Sequence, residues 1–274
     1  MPELPETETI ARDLDGMLRG ATIDRVTVER SDVLREVSAR SFAARLRGAV
    51  IERCWRRAKL VVIDLSTGER IVVQPRFTGA LLVEPHRSGG GEDYTTVAIA
   101  LRDGRVLRYR DVRRLGTVAL MNAERFDAYT ATLGPEPLDP AFAASHLSGL
   151  LRGSRLAIKK AIMDQRRVAG IGNIYANEAL WRARVDPSRE ARTLEAAEVR
   201  ALHAAIVGVL TEAIAARGTT FRDFRDAYGG QGRFAERLAV YGRGGEACPR
   251  CTARLVETHA IDGRTTVFCA RCQS

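Results

Sequence analysis

Apolar residues recur at Ile10, Leu14, Met17 and Leu18. That spacing predicts a helix over residues 7–19, with Gly20 closing it. From about residue 22 to 121 the period shortens. The runs "TIDRVTVER", "AVIERCW", "LVVIDL", "RIVVQ", "GALLVE", "TTVAIAL" and "RVLRYR" are short and β-branched, and turn-like "STGE" and "RDG" separate some of them. They predict an antiparallel sandwich or barrel with one helix at its start. "LGPEPLDPA" at 133–141 holds three prolines in nine residues and reads as a linker. Beyond it the helical period returns in "LEAAEVRALHAAIVGVLTEAIAARG". Glu195 and Glu198 suit the positive N-terminal end of that helix, and Gly218 suits its C-cap. "SGGG" at 88–91 reads as a flexible loop. The expected class is α+β, in four segments: 1–132 a sandwich, 133–142 a linker, 143–238 helical, and 239–274 a short cysteine-bearing module.

The 274 residues allow one large domain or two ordinary ones, and 45% hydrophobic content supplies a core. Lys and Arg number 43 against 34 Asp and Glu, a net charge of +9. That balance fits a polyanionic partner, or simply a soluble arginine-rich chain. No run approaches the roughly 18 apolar residues that span a bilayer. The start lacks the basic and apolar regions of a secretory signal. The expected setting is the cytoplasm, beside the nucleic acid.

Four of the five cysteines lie in the last 27 residues. Cys248 and Cys251 form one C-x-x-C and Cys269 and Cys272 another, with 17 residues between. Two such knuckles predict a closed, structural Zn²⁺ site. Cys54, in an apolar run, reads as a buried thiol. The intervening "TARLVETHAIDGRTTVF" predicts a hairpin with "IDGR" at its tip, and Arg264 there is either a phosphate contact or an ordinary turn arginine. "VAGIGNIYANEAL" is a glycine-rich turn opening a helix, a geometry that grips phosphate or merely packs in the core. Asn173 could add a hydrogen bond there. Lys159, Lys160, Arg166 and Arg167 lie just upstream, and Arg113 and Arg114 follow a strand in "RYRDVRRLG". Several basic clusters together with a zinc hairpin favour nucleic acid as the partner.

The first ten residues, "MPELPETETI", place Pro2 directly behind the start methionine. With Met1 removed, Pro2 offers a terminal secondary amine with a pKa near ~8, more nucleophilic at neutral pH than lysine. Attack on an aldehyde-level carbon gives an iminium, an electron sink. Glu3 beside it could act as general acid. Alternatively, the prolines only position the helix.

Taken in order, "PELPE", "DVRRLG", "LGPEPL", "GIGNIYANEAL" and the C-x-x-C hairpin resemble the bacterial formamidopyrimidine-DNA glycosylase family, within the wider group that includes endonuclease VIII. The resemblance runs from Pro2 to Gln273. It implies a β-sandwich, a helix–two-turn–helix domain and a zinc finger. It also implies a monomer that flips an oxidised base from duplex DNA, cuts the glycosidic bond and nicks the strand by β,δ-elimination, or acts on an abasic site. By resemblance Pro2 is the nucleophile, Glu3 the general acid and Glu6 a second acid near the sugar. Lys59 assists elimination, Asn173 and Arg264 clamp phosphates around the flipped nucleotide, and Arg264 also serves δ-elimination. Lys159 binds the backbone, and Arg113 fills the void and reads the orphaned cytosine.

Some positions depart from the family pattern. Gln74 stands where relatives have a phosphate-contacting histidine, Phe77 where they have a wedge methionine, and Leu115 where they have a phenylalanine. Thr96 lies near the place of another missing histidine. The stretch 219–236, "TTFRDFRDAYGGQGRFAE", matches the loop that covers 8-oxoguanine in the purine branch. The readings in competition are an oxidised-pyrimidine enzyme like endonuclease VIII, a silent damage-binding zinc protein, and a zinc-ribbon accessory protein of ribosomes or transcription.

Overall fold

Helix α1 (Leu4–Leu18) begins at Leu4, ahead of the residue 7 that periodicity suggests. Pro5 occupies its first turn, where a missing N–H costs nothing. Glu3 is the N-cap residue, and its N–H donates to Glu6 Oε2 at 2.8 Å. Ile10, Leu14 and Leu18, the apolar stripe, are fully buried. In the computed structural model, residues 2–85 and 94–274 are described, so Met1 and the "SGGG" stretch lie outside them.

The chain divides into two compact units. The first holds residues up to Thr132 together with Ala216–Ala235. One of its sheets has the order β1 (Ile23–Val28), β7 (Thr95–Leu101), β8 (Arg105–Asp111), β6 (Gly79–Pro85). The other runs β2 (Leu34–Arg35), β9 (Thr117–Asn122), β5 (Glu69–Gln74), β4 (Leu60–Leu65), β3 (Ile51–Arg57). All pairings within them are antiparallel except β2 with β9, a short parallel contact of Leu34 with Val118 and Arg35 with Ala119. Ile63, Ile71, Val73 and Val118 of one sheet share a core with Leu81, Val97, Ile99 and Leu107 of the other. This is the β-sandwich, with α1 packed on β3.

Two helices form where the sequence pattern suggests none, one between strands and one after the last strand of the sandwich. In α2 (Ala39–Leu46) only Phe42 and Leu46 are buried, and Ser38 caps it by accepting the Ser41 N–H. In α3 (Ala123–Thr130) only Phe126 is buried, under an Asn122 cap. One or two apolar positions are too few to set a period.

The second unit comprises Leu133–Ala215 and Glu236–Ser274. It contains α4 (Ala144–Leu151), α5 (Ile158–Met163), α6 (Asn173–Ala183) and α7 (Ala196–Ala215), then the hairpin β10 (Val256–Thr258) and β11 (Thr266–Phe268). α6 packs on α7, and Leu180, Leu202, Ile206, Val209 and Leu210 are buried. α7 stops at Ala215, so Gly218 is not its cap. Residues 216–235 also leave the helical segment expected from sequence, because Phe224 and Ala227 insert into the sandwich core. Among the described residues, no helix is long and apolar enough to cross a membrane.

Candidate functional site

Pro2, Glu3 and Glu6 are all buried at the start of α1. Glu6 uses both carboxylate oxygens. Oε2 accepts the Glu3 N–H, and Oε1 accepts the Thr219 N–H at 2.7 Å. Gly218 lies so close that an added Cβ would sit 3.0 Å from Glu6 Oε1. Its φ of 82° is the left-handed region that favours glycine. This glycine therefore serves close approach rather than helix termination. Glu6 thus holds the Glu3 amide with one oxygen and Thr219 with the other, tying one end of the 219–236 stretch to the helix start.

Lys59 is half-buried at the tip of the β3–β4 hairpin, beside Ala58 in left-handed conformation at φ 52°. Arg56 steadies that tip. Its Nη1 donates to the Ala58 carbonyl at 3.1 Å and its Nε to Glu8 Oε2 at 2.8 Å. Burial alone would raise the Glu8 carboxyl, but the Arg56 and Arg12 guanidinium groups outweigh it and hold it below its ordinary value. The hairpin tip is therefore tied to the same helix that carries Pro2 and Glu3.

Phe77, Arg113 and Leu115 lie on two turns locked together by Asp111. Phe77 is 43% and Leu115 47% exposed. The Arg113 guanidinium lies 4.7 Å from the Phe77 ring centroid. Asp111 is buried and accepts the Thr78 hydroxyl at 2.5 Å and the Gly116 N–H at 2.8 Å. Thr78 Oγ1 accepts the Arg113 N–H at 3.1 Å. A Cβ on Gly116 would meet Tyr109 OH at 1.8 Å. Gly116→Ala is accordingly expected to force the two turns apart, destabilising the fold by about 1–3 kcal/mol. A urea unfolding midpoint equal to that of the parent would contradict the latch. Thr96, near the missing family histidine, is buried and donates to the Tyr109 carbonyl at 2.9 Å.

In the second unit, Arg264 is exposed on the hairpin turn and Asn173 is half-buried at the first position of α6. Asn173 Nδ2 donates to the Thr265 carbonyl at 2.9 Å. Lys159 departs from expectation. Its side chain has no exposed surface, and Nζ reaches Thr266 Oγ1 at 2.7 Å, the Thr265 carbonyl at 3.2 Å and Asp262 Oδ1 at 3.3 Å. A phosphate cannot touch an ammonium enclosed in this way. In place of a direct backbone contact, Lys159 supports the turn that presents Arg264. Basic residues read as surface by default, and only the acceptors 103–107 positions further along the chain account for its burial.

Two neighbours in the same glycine-turn motif hold the hairpin and the segment leading to it against α6, and both escaped sequence reasoning. Asn177 Oδ1 accepts the Val267 N–H at 2.7 Å. Glu178, fully buried, accepts the N–H groups of Ala239, Val240 and Tyr241, each at 2.9 Å. The four cysteine Sγ atoms lie within 4.8 Å of one another. Cys251 and Cys269 are 3.4 Å apart, and Cys248 and Cys272 4.0 Å. Tetrahedral thiolates at ~2.3 Å from zinc lie roughly 3.8 Å apart, so the set fits one Zn²⁺. Four protein sulfurs leave no open position, and the metal's part is to fasten the hairpin. Cys54 is different. Burial, then the Asp15 and Asp64 charges, push its thiol up to about 12, so it stays protonated and unreactive.

Comparison with known proteins agrees with this architecture. The formamidopyrimidine-DNA glycosylase N-terminal domain model matches residues 1–118, and the H2TH domain model of the same enzyme matches 133–225. The formamidopyrimidine-DNA glycosylase of Desulfitobacterium hafniense is 40% identical over 275 residues, covering 100% of both chains. The Lactococcus lactis enzyme, solved with abasic-site DNA, superposes with a TM-score of 0.92 at 30% identity over 99% of each chain. The MutM protein of Thermus thermophilus does so with a TM-score of 0.87 at 37% identity, over 99% of this chain and 98% of that one. With two family models meeting on one sandwich-and-helix chain, and relatives matching it end to end, this chain belongs to the formamidopyrimidine-DNA glycosylase family.

Proposed function

We propose that this chain is a bifunctional DNA glycosylase/AP lyase that removes oxidised purines, 8-oxoguanine and formamidopyrimidines, from duplex DNA. The observation that carries the reading is the buried start of α1. There Pro2 and Glu3, consecutive in sequence, are buried, Glu6 accepts the Glu3 N–H with one carboxylate oxygen, and its other oxygen accepts the Thr219 N–H. Lactococcus lactis relatives have been solved with DNA containing an abasic site and with DNA containing N7-benzyl-Fapy-dG. The net charge of +9 suits a phosphate-lined partner.

The chemistry follows from those groups. Removal of Met1 converts the Pro2 amide to a secondary amine. Glu3 donates a proton as the glycosidic bond breaks, the Pro2 nitrogen bonds to C1′ and gives up its proton, and the C1′–O4′ bond opens as O4′ takes up a proton. The resulting iminium draws electrons from the C2′–H bond. Loss of that proton expels the 3′ phosphate, and a second elimination expels the 5′ phosphate. Lys59 assists the eliminations, and Asn173 and Arg264 hold strand phosphates. Phe77, Arg113 and Leu115 fill the gap the flipped base leaves. The 219–236 stretch recognises the lesion. Its place of action is wherever the cell keeps its DNA, the cytoplasm in a bacterium.

Borohydride trapping tests this directly. One duplex carries 8-oxoguanine opposite cytosine, the other dihydrouracil. The expected result is a covalent adduct mainly on the first, mapped to Pro2. An adduct mainly on the second would move the enzyme to the pyrimidine side. With Met1 confirmed absent and DNA binding intact, no adduct on either would leave a silent damage-binding protein.

A further inference from the structure

We propose that Arg217 is a positioning residue for lesion recognition, holding the 219–236 stretch against α1 through paired aspartates at either end. The inference rests on the reading of that stretch as the lesion-recognition segment.

Arg217 is left-handed at φ 62°, directly before left-handed Gly218 at 82°. A side chain is disfavoured there where glycine would be relaxed, so the guanidinium needs a compensating role. It has one. Nη2 reaches Asp13 Oδ2 on α1 and Asp226 Oδ2 within the stretch, both at 2.6 Å, and Nε reaches the same Asp226 oxygen at 3.0 Å. Both carboxylates are buried: Asp13 is 8% and Asp226 3% exposed. One cation thus joins two enclosed acids that would otherwise repel each other.

Asp226 also shapes the stretch itself. Its Oδ1 accepts the Tyr228 N–H at 3.0 Å and the Gly230 N–H at 2.7 Å. The Arg217 pair therefore pins a preformed turn to the helix. Other fastenings lie at Thr219, on Glu6, and at Ala227, whose carbonyl accepts the Val83 N–H at 3.1 Å. Phe221, between these two, and Tyr228, just after Ala227, stay 56% and 68% exposed. A base has faces on which such rings stack. α1 does not depend on the clamp, because Ile10, Leu14 and Leu18 anchor it in the core and Glu8 ties it to Arg56. Loss of Arg217 therefore loosens the Asp226 turn within the stretch, while Thr219, Phe224 and Ala227 stay fastened and the Pro2–Glu3 end stays in place.

The test is Arg217→Gly, which removes the clamp while relaxing the left-handed backbone, with a thermal melt of each variant to verify that the fold is retained. If the ordered fraction of the stretch falls to about a tenth, half-saturation for the 8-oxoguanine duplex rises about tenfold. Single-turnover nicking of an abasic duplex, which presents no base, stays at the parent rate. Arg217→Lys restores part of the affinity, since one ammonium lacks the fork that serves both carboxylates. Asp13→Asn reproduces the defect, and the double variant adds nothing further. Equal loss on both substrates, or no loss on either, overturns the proposal. A parent enzyme that excises dihydrouracil but not 8-oxoguanine removes the underlying reading, and this inference with it.

Discussion

Glu3→Gln is expected to lower excision of 8-oxoguanine by about 10²–10⁴-fold, the range a general acid contributes. The same variant should cleave a duplex with a ready-made abasic site at close to the parent rate. The asymmetry follows from where a proton is needed. Breaking the glycosidic bond leaves negative charge on the departing base or demands a protonated sugar oxygen. An abasic sugar has already lost its base, opens to an aldehyde, and meets the Pro2 amine without that step. The substitution also isolates chemistry from structure. The contact that orders the chain start is the Glu3 N–H on Glu6, a backbone bond that a glutamine side chain keeps. Glutamine has the shape of the 3%-exposed carboxylic acid and fits the same space. Single-turnover excision and borohydride trapping on the abasic duplex are the paired measurements. Parallel loss in both would show that Glu3 merely supports the fold.

The sandwich and the zinc hairpin were legible in the sequence because each is a local pattern, and the proposed chain-start chemistry rests on a local pattern too. Alternation marked the strands, two C-x-x-C knuckles marked the metal, and a proline–glutamate pair behind Met1 marked a possible amine nucleophile. What escaped was the set of charged residues that the fold buries. Glu6 meets its Thr219 partner 213 positions away, and Asp13 meets Arg217 204 positions away. A carboxylate read alone is a surface residue, and only a distant partner makes its burial tolerable. Lys159 was misplaced for that reason, and the 216–235 segment was assigned to the helices because the groups that hold it to α1 and the sandwich are scattered along the chain.

Glu178→Ala is the substitution expected to cost the most stability. The carboxylate accepts three successive N–H groups, from Ala239, Val240 and Tyr241, at the entry to the zinc module. Beyond that entry Val240 packs in one small core with Cys248, Leu255, Val267 and Cys269. Alanine removes the shared acceptor at a position with no exposure. Each amide so orphaned costs about 1–3 kcal/mol, and three together on the order of 3 kcal/mol or more. A core of five residues is too small to absorb that, so the loss falls on the module rather than on the sandwich. The expected result is zinc release at a lower chelator concentration and a lower urea midpoint for the second unit. Glu178→Gln should fall between: its one carbonyl oxygen still accepts, while its –NH₂ faces a backbone donor. If Glu178→Ala holds zinc as tightly as the parent, the module is anchored by the hairpin contacts of Asn173, Asn177 and Lys159 instead, and those three become the next residues to replace.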